Sequence, residues 1–311
     1  MKKKFMCMFM AAVMVFTMAA CGSKSDDTGT SDSTNTGDQP SAEPQTFTIG
    51  SCGPLTGDAA IYGQAVVNGA RLAVEEINAS SSTIKFNFLQ QDDEADGEKA
   101  VNAYNTMMDD GMQVLVGPTT TGASLSVSDV TNTDRVFMLT PSASSPDVTS
   151  GKDNVFQVCF TDPNQGTGSA DYIAENMPRA KVAVIYRNDD AYSQGIRNTF
   201  VAEAEAKGAF KIVYQGTFTA DTASDFSVQL ASAQSAGADL MFLPIYYQPA
   251  SVILSQAKAM NYAPTFFGVD GMDGILTMPG FDPALAEGVM LLTPFSINSE
   301  DAATQNFVKT Y

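Results

Sequence analysis

Two hydroxyl-rich turns carry the residue types and spacing best suited to holding a small molecule. Gly117-Pro118-Thr119-Thr120-Thr121-Gly122 follows one short apolar run, and Thr140-Pro141-Ser142-Ala143-Ser144-Ser145-Pro146 follows another. Both present hydroxyls and backbone N–H groups with no positive side chain nearby, which suits a carboxylate or other small anion held by neutral donors. Serine and threonine also form ordinary turns and caps, so neither turn is diagnostic alone. A third candidate is Gly53–Asn78, GPLTGDAAIYGQAVVNGARLAVEEIN, which follows the strand-like Phe47–Cys52. A strand, a glycine-rich turn and a helix start aim backbone N–H groups, and here Tyr62, at whatever lies above the strand end. A plain strand–helix unit without any ligand has the same pattern.

What the chain lacks narrows the chemistry. It has no histidine among 311 residues, which excludes His-based acid–base catalysis, Ser-His-Asp triads and the usual His-containing zinc sites. No GxSxG, P-loop or CxxC motif occurs. The run Asp92-x-Glu94-x-Asp96-Gly97 matches only the opening of a calcium loop, because the twelfth position, where a bidentate Glu is required, is Ala103. No metal site and no cofactor are therefore expected. Lys and Arg total 17 against 35 Asp and Glu, a net charge of −18. That balance argues against nucleic acid and against peripheral binding to anionic lipid. Of four cysteines, Cys52 and Cys159 sit in apolar, strand-like contexts and read as buried free thiols, with a disulfide between them the alternative.

The elements that must position these turns alternate along the chain. Strands are predicted at Thr83–Gln90, Val114–Val116, Arg135–Leu139 and Val155–Phe160, the last leading away from the first lobe. Helices are predicted at Glu98–Asp110 and from about Ala123 to Asn132. In the helix after Gly53, the positions Tyr62, Ala65, Val66, Gly69, Leu72, Ala73 and Ile77 recur at three and four, predicting one buried stripe. The alternation restarts after Thr161-Asp162-Pro163. Strands follow at Lys181–Tyr186, Phe210–Thr219, Asp239–Ile245, Thr265–Val269 and Gly288–Leu292. Helices lie between them at Gln165–Asn176, Tyr192–Lys207, Phe226–Ser235 and Pro249–Met260. This predicts an α/β protein of two doubly wound parallel-sheet lobes joined by a hinge near Phe160–Pro163, with ligands in a cleft at the strand ends.

The chain begins with a different signal. Lys2–Lys4, the apolar run Phe5–Ala20 and Met18-Ala19-Ala20-Cys21 form a secretion signal resembling a bacterial lipobox. The resemblance implies cleavage before Cys21, lipidation of its sulfur, and a folded part held outside the cytoplasm at the membrane. Removing the signal takes three lysines and no acids, leaving 14 basic against 35 acidic residues, a balance of −21. Residues 21–45 are almost without apolar side chains and read as a disordered tether. The remaining divisions are residues 1–20 as signal, 46–160 as the first lobe, 161–293 as the second and 294–311 as a return toward the first.

With these residues in place, the chain resembles the leucine/isoleucine/valine-binding family of bacterial solute-binding lipoproteins, which have the periplasmic-binding protein type I fold. The likeness runs over Phe47–Tyr311. It is carried in order by the Gly53–Asn78 stretch, VGPTTTGA from Val116, TPSASSP from Thr140, FQVCFTDPNQG from Phe156, NDDAYSQG from Asn188, FLPIYYQ from Phe242 and FFGVDGMDG from Phe266. The resemblance implies a non-enzymatic receptor that captures a free amino acid of the branched-chain class and delivers it to the permease subunits of an ABC transporter. A sensor of the same fold for an amino acid, amide or other small polar solute is the alternative. Residue by residue, the resemblance gives Thr121 a hydroxyl for the ligand carboxylate. It gives Ser142 and Ser144 a backbone contact and a hydroxyl for the two ends of the zwitterion. Asp270 takes the position that pairs with the ammonium, and Tyr62, Tyr192 and Tyr246 shape or close the side-chain pocket. The family pattern continues beyond Tyr311 with elements returning to the first lobe, so the sequence reads as a truncated record.

Overall fold

The computed structural model describes residues 43–81 and 83–311. The predicted signal, Cys21 and all but the end of the tether lie outside the described residues. Five strands form the first sheet: β1 (Gln45–Gly53), β2 (Ile84–Asp92), β3 (Val114–Val116), β4 (Phe137–Thr140) and β5 (Val155–Gln157), in the order β2-β1-β3-β4-β5. Every neighbouring pair is parallel. Helices α1 (Ala60–Ser80), α2 (Gly97–Asp109) and α3 (Thr121–Asp134) make the crossovers. A core of Tyr104, Met107, Leu115, Val127 and Met138 lies between sheet and helices.

The second sheet comprises β6 (Lys181–Arg187), β7 (Lys211–Phe218), β8 (Leu240–Leu243), β9 (Thr265–Gly268) and β10 (Met290–Leu291), in the order β10-β9-β8-β6-β7, again parallel. Its helices are α4 (Asp162–Asn176), α5 (Ala191–Lys207), α6 (Ser227–Ser235) and α7 (Tyr247–Ala259). Strands covered on both faces need apolar side chains at every position rather than alternation. In β6 and β8 the successive residues divide between two cores. Val182, Val184, Leu240 and Phe242 pack with α4 and α5, while Ala183, Ile185, Met241 and Leu243 pack with α6 and α7. A last helix, α8 (Ala302–Thr310), lies along α1, where Ala303, Asn306 and Phe307 share a groove with Gly69, Leu72 and Ala73.

Several expectations shift. The buried face of α1 is Gly63, Val67 and Val74, not the predicted stripe: Ala65 and Ala73 are exposed and Ile77 is 42% exposed. Apolar residues occur all round this helix, one side meeting the sheet and another lining the groove beside α8, so spacing alone does not separate the two. β4 begins at Phe137 rather than Arg135, because Arg135 ends α3 in the left-handed region at φ 61°. β5 does not lead away but pairs with β4 as the outer strand of the first sheet. β1 starts at Gln45, the last residue assigned to the tether, which pairs with Ile84. Cys52 is fully buried, but Cys159 is only half-buried; both are free thiols.

Candidate functional site

Both sheets turn the carboxyl ends of their strands toward one cavity of about 150 Å³. That is where open α/β sheets hold ligands, since strand ends and helix starts leave polar backbone unpaired there. The seven residues singled out in the sequence, Tyr62, Thr121, Ser142, Ser144, Tyr192, Tyr246 and Asp270, all line it. Thr119, Thr120, Ala143, Gly271, Asp273, Thr293, Pro294 and Phe295 complete the wall. Among the described residues, no lysine or arginine lines the cavity.

The first-lobe wall is built by two turns locked to each other. Gly117 has φ 134° and approaches the Cys52 carbonyl so closely that a Cβ there would lie 2.5 Å from its oxygen. A side chain is thus excluded at the point where the chain leaves β3. The Pro118 carbonyl then accepts hydrogen bonds from Ser124 Oγ at 3.1 Å and Thr140 Oγ1 at 2.7 Å. Thr140 Oγ1 in turn accepts from Ala143 N at 3.0 Å. Thr121 opens α3 rather than preceding it, and its Oγ1 accepts from Ser144 N at 3.4 Å. The hydroxyls of Thr119 and Thr120 are buried and have no hydrogen-bond partner among the described residues. Buried hydroxyls without partners are uncommon because each forfeits its hydration; here neither oxygen is open to the cavity, and Thr119 Oγ1 packs against Gly53 at the end of β1.

The second-lobe wall centres on Asp270, at the start of a short 3-10 turn after β9. Tyr192 donates its phenol hydrogen to Asp270 Oδ1 at 2.5 Å, and Gly271 N donates to the same phenol oxygen at 2.9 Å. Gln165 Oε1 accepts from Asp270 N at 3.3 Å. Burial pushes the Asp270 carboxyl above its ordinary range, opposed by the Tyr192 hydrogen bond. From the first lobe, Tyr62 Oη reaches across to the carbonyls of Gly271 at 2.5 Å and Asp273 at 2.8 Å. Its ring lies 5.9 Å from that of Tyr246, which stacks on Tyr192 at 4.9 Å. Burial first, and Asp270 next, raise the phenols of Tyr62 and Tyr192, so both stay neutral donors. Tyr62 thus touches the very turn that carries Asp270.

Some lining residues were outside the sequence reading. Thr119 and Thr120 sit in the same TTTG turn that nominated Thr121; all three are buried, and they differ in that Thr121 Oγ1 alone has a hydrogen-bond partner among the described residues. Asp273, Thr293 and Phe295 come from irregular segments, where no periodicity announces a face. Thr293 Oγ1 donates to Asp273 Oδ2 at 3.2 Å, tying the late segment to the Asp270 turn.

The sequence pattern of the family described as periplasmic binding protein matches residues 46–311. The chain belongs to that family. Among curated relatives, "Leu/Ile/Val-binding protein homolog 3" of Brucella melitensis is 34% identical over 73% of this chain and 61% of its own length. "Leu/Ile/Val-binding protein BraC3" of Rhizobium johnstonii is 32% identical over 73% of this chain and 62% of its own. The chain therefore spans about three-fifths of the relatives it matches. Among solved structures, the branched-chain amino acid transporter substrate-binding protein LivJ of Streptococcus pneumoniae, in complex with isoleucine, superposes with a TM-score of 0.76 at 26% identity. It covers 86% of this chain and 76% of that one. A Rhodopseudomonas palustris solute-binding protein holding 3,4-dihydroxybenzoic acid reaches 0.75 at 21% identity, covering 86% and 73%; at that distance the likeness is one of fold alone. The periplasmic binding fold of two parallel-sheet lobes is thus common to proteins with quite different ligands, and the ligand must be argued from the cavity.

Proposed function

We propose that this periplasmic binding protein is an extracytoplasmic receptor, not an enzyme. In this reading it captures a free amino acid of the branched-chain class and passes it to the permease subunits of an ABC importer. The observation that carries the reading is the polarity of the cavity wall. The half-buried carboxyl of Asp270 stands on one side, the hydroxyl-rich turns that carry Thr121, Ser142 and Ser144 stand on the other, and no basic side chain lies between. A zwitterion satisfies both sides at once. Its ammonium pairs with Asp270 and its carboxylate takes hydrogen bonds from the threonine and serine turns at Thr121, Ser142 and Ser144. The rings of Tyr62, Tyr192 and Tyr246 leave an apolar space for an aliphatic side chain. The names of the relatives agree with this ligand class.

Replacing Asp270 by Asn removes the charge and keeps the shape. Losing one partner of a buried charge pair costs about 2–5 kcal/mol, so leucine affinity falls by about thirtyfold or more with the circular dichroism spectrum unchanged. Calorimetry that finds equal leucine affinity in both proteins sinks the assignment of Asp270. Anchoring through lipidated Cys21 belongs to the same proposal, motivated by the lipobox-like Met18–Cys21. Labelled fatty acid that fails to enter the chain in cells would rule it out.

A further inference from the structure

Behind Tyr246 lies a second, smaller cavity of about 70 Å³. It shares Tyr246 with the main cavity and is walled by Arg187, Asp190, Gln248 and the apolar Phe218, with Asp58 of the first lobe at its edge. Arg187 ends β6, and its Nε donates to Asp189 Oδ1 at 2.7 Å, which fixes the guanidinium plane. Its two terminal nitrogens carry no hydrogen bond to the protein among the described residues. Asp189 is itself held, its Oδ2 accepting from Ala220 N at 3.1 Å. Asp190 caps α5 through Oδ2, which accepts from Ser193 N at 3.4 Å; a carboxylate so engaged keeps further lone pairs free. The Tyr246 hydroxyl and the Gln248 amide likewise have no partner among the described residues. After burial, Asp190 and Asp270 are the charges that most raise the Tyr246 phenol, in keeping with a ring that divides the two cavities.

The chamber has mixed walls, with Phe218, Ala223, Ile245 and Pro249 beside the polar groups, and is large enough for a group of several heavy atoms. Its valences come as donors from Arg187 and acceptors from Asp190, with Gln248 and Tyr246 able to act as either. Arg187 is already paired with Asp189, and Asp58 and Asp190 share the cavity wall, so a further carboxylate is disfavoured by charge, while an ammonium, which only donates, would leave the free Arg187 nitrogens without an acceptor. A neutral group that both donates and accepts fits. We propose that the chamber is a second binding site, for a primary carboxamide, whose oxygen takes the free Arg187 nitrogens and whose NH₂ donates to Asp190. The carboxamide has two sources: the side chain of an amino acid whose zwitterion lies in the main cavity, or a free small amide beside a bound aliphatic amino acid. The first rests on the amino-acid reading above and needs the Tyr246 ring to turn aside, which breaks no hydrogen bond.

Titration calorimetry of the full chain with leucine, glutamine and glutamate tests the first source, and acetamide added to leucine-saturated and to ligand-free chain, followed by NMR, tests the second. The expected result is an amide response in one arm that falls about tenfold or more in Arg187→Met, the loss of a charge-assisted hydrogen bond, while leucine affinity is unchanged. Gln248→Leu, on a different element, weakens the same response. Glutamate binds more weakly than glutamine. Neither glutamine nor acetamide binding, or both binding equally well in Arg187→Met, overturns the chamber. If acetamide binds and depends on Arg187 while no amino acid binds at all, the chamber stands and the amino-acid reading falls.

Discussion

Asp162 opens α4 at the crossing from the first sheet to the second, 1% exposed, and neither of its carboxyl oxygens has a hydrogen-bond partner among the described residues. Burial pushes it up to about 7; the Ser144 hydroxyl, near the carboxyl but outside good hydrogen-bond geometry, opposes the rise, and the nearby Asp270 charge adds to it. A carboxyl whose folded value exceeds its unfolded one binds more protons when folded. Stability is then fully present below about 3.8 and is lost as pH rises through about 7. Asp93, fully buried beside Cys52, is pushed up to about 6 and acts in the same sense. Asp162→Asn, which keeps the shape and removes the ionisation, is therefore expected to stabilise the protein at about pH 8 and to match it at about pH 4. Each unit of difference between the folded and unfolded values is worth about 1.4 kcal/mol. Urea midpoints at the two pH values check this; a gain of equal size at both would show that Asp162 acts through packing. This residue was not legible as special in the sequence, where Thr161-Asp162-Pro163 is an ordinary helix start. Hydroxyl turns bounded by Gly and Pro announce themselves by composition, whereas a buried carboxyl is recognised only when its surroundings are known.

At the scale of elements, α4 and α5 pack against each other along the second lobe, and Gly166 sits in their contact. A Cβ there would lie 2.5 Å from the Ile196 carbonyl oxygen and 2.7 Å from the Phe200 nitrogen, both backbone atoms that cannot swing away. Gly166→Ala in a free helix would gain about 1 kcal/mol from propensity. In this contact it is expected to lose about 1–3 kcal/mol through overpacking. The sign of the shift in urea midpoint therefore decides whether the two helices are as close as described. The strands were the most legible elements, because runs such as KVAVIY and DLMFLPI are apolar at successive positions, too short for a buried helix and suited to a sheet covered on both faces. Helix faces were read less well. α1 packs on the sheet with one face and lines the groove beside α8 with another, and Gly69, Leu72 and Ala73 of the expected stripe lie on the groove side. Boundaries moved where backbone geometry, as at the left-handed Arg135, ended an element that composition would have continued.

Across the whole molecule, the first lobe touches the second through the start of α1. Tyr62 Oη donates to the carbonyl array of the Asp270 turn, and Ile61 N donates to Tyr247 Oη at 3.3 Å. In the function proposed above, a ligand held by threonine and serine turns on one lobe and by Asp270 on the other would gain all its contacts only when the lobes are together. Its binding energy and the stability of that arrangement are therefore linked. Tyr62→Phe keeps the ring contacts with Tyr246 and Tyr247 and removes only the hydroxyl. It deletes one net hydrogen bond worth about 1 kcal/mol from the lobes-together state. Leucine affinity is expected to fall by about fivefold, because the competent state is less populated, while the urea midpoint of the ligand-free chain barely moves. Small-angle scattering adds a second readout: the ligand-free variant has a radius of gyration equal to or larger than wild type, and saturating leucine brings both proteins to the same value. Unchanged affinity in Tyr62→Phe would mean that the phenol contributes nothing to holding the lobes together, and that α1 merely borders the cavity.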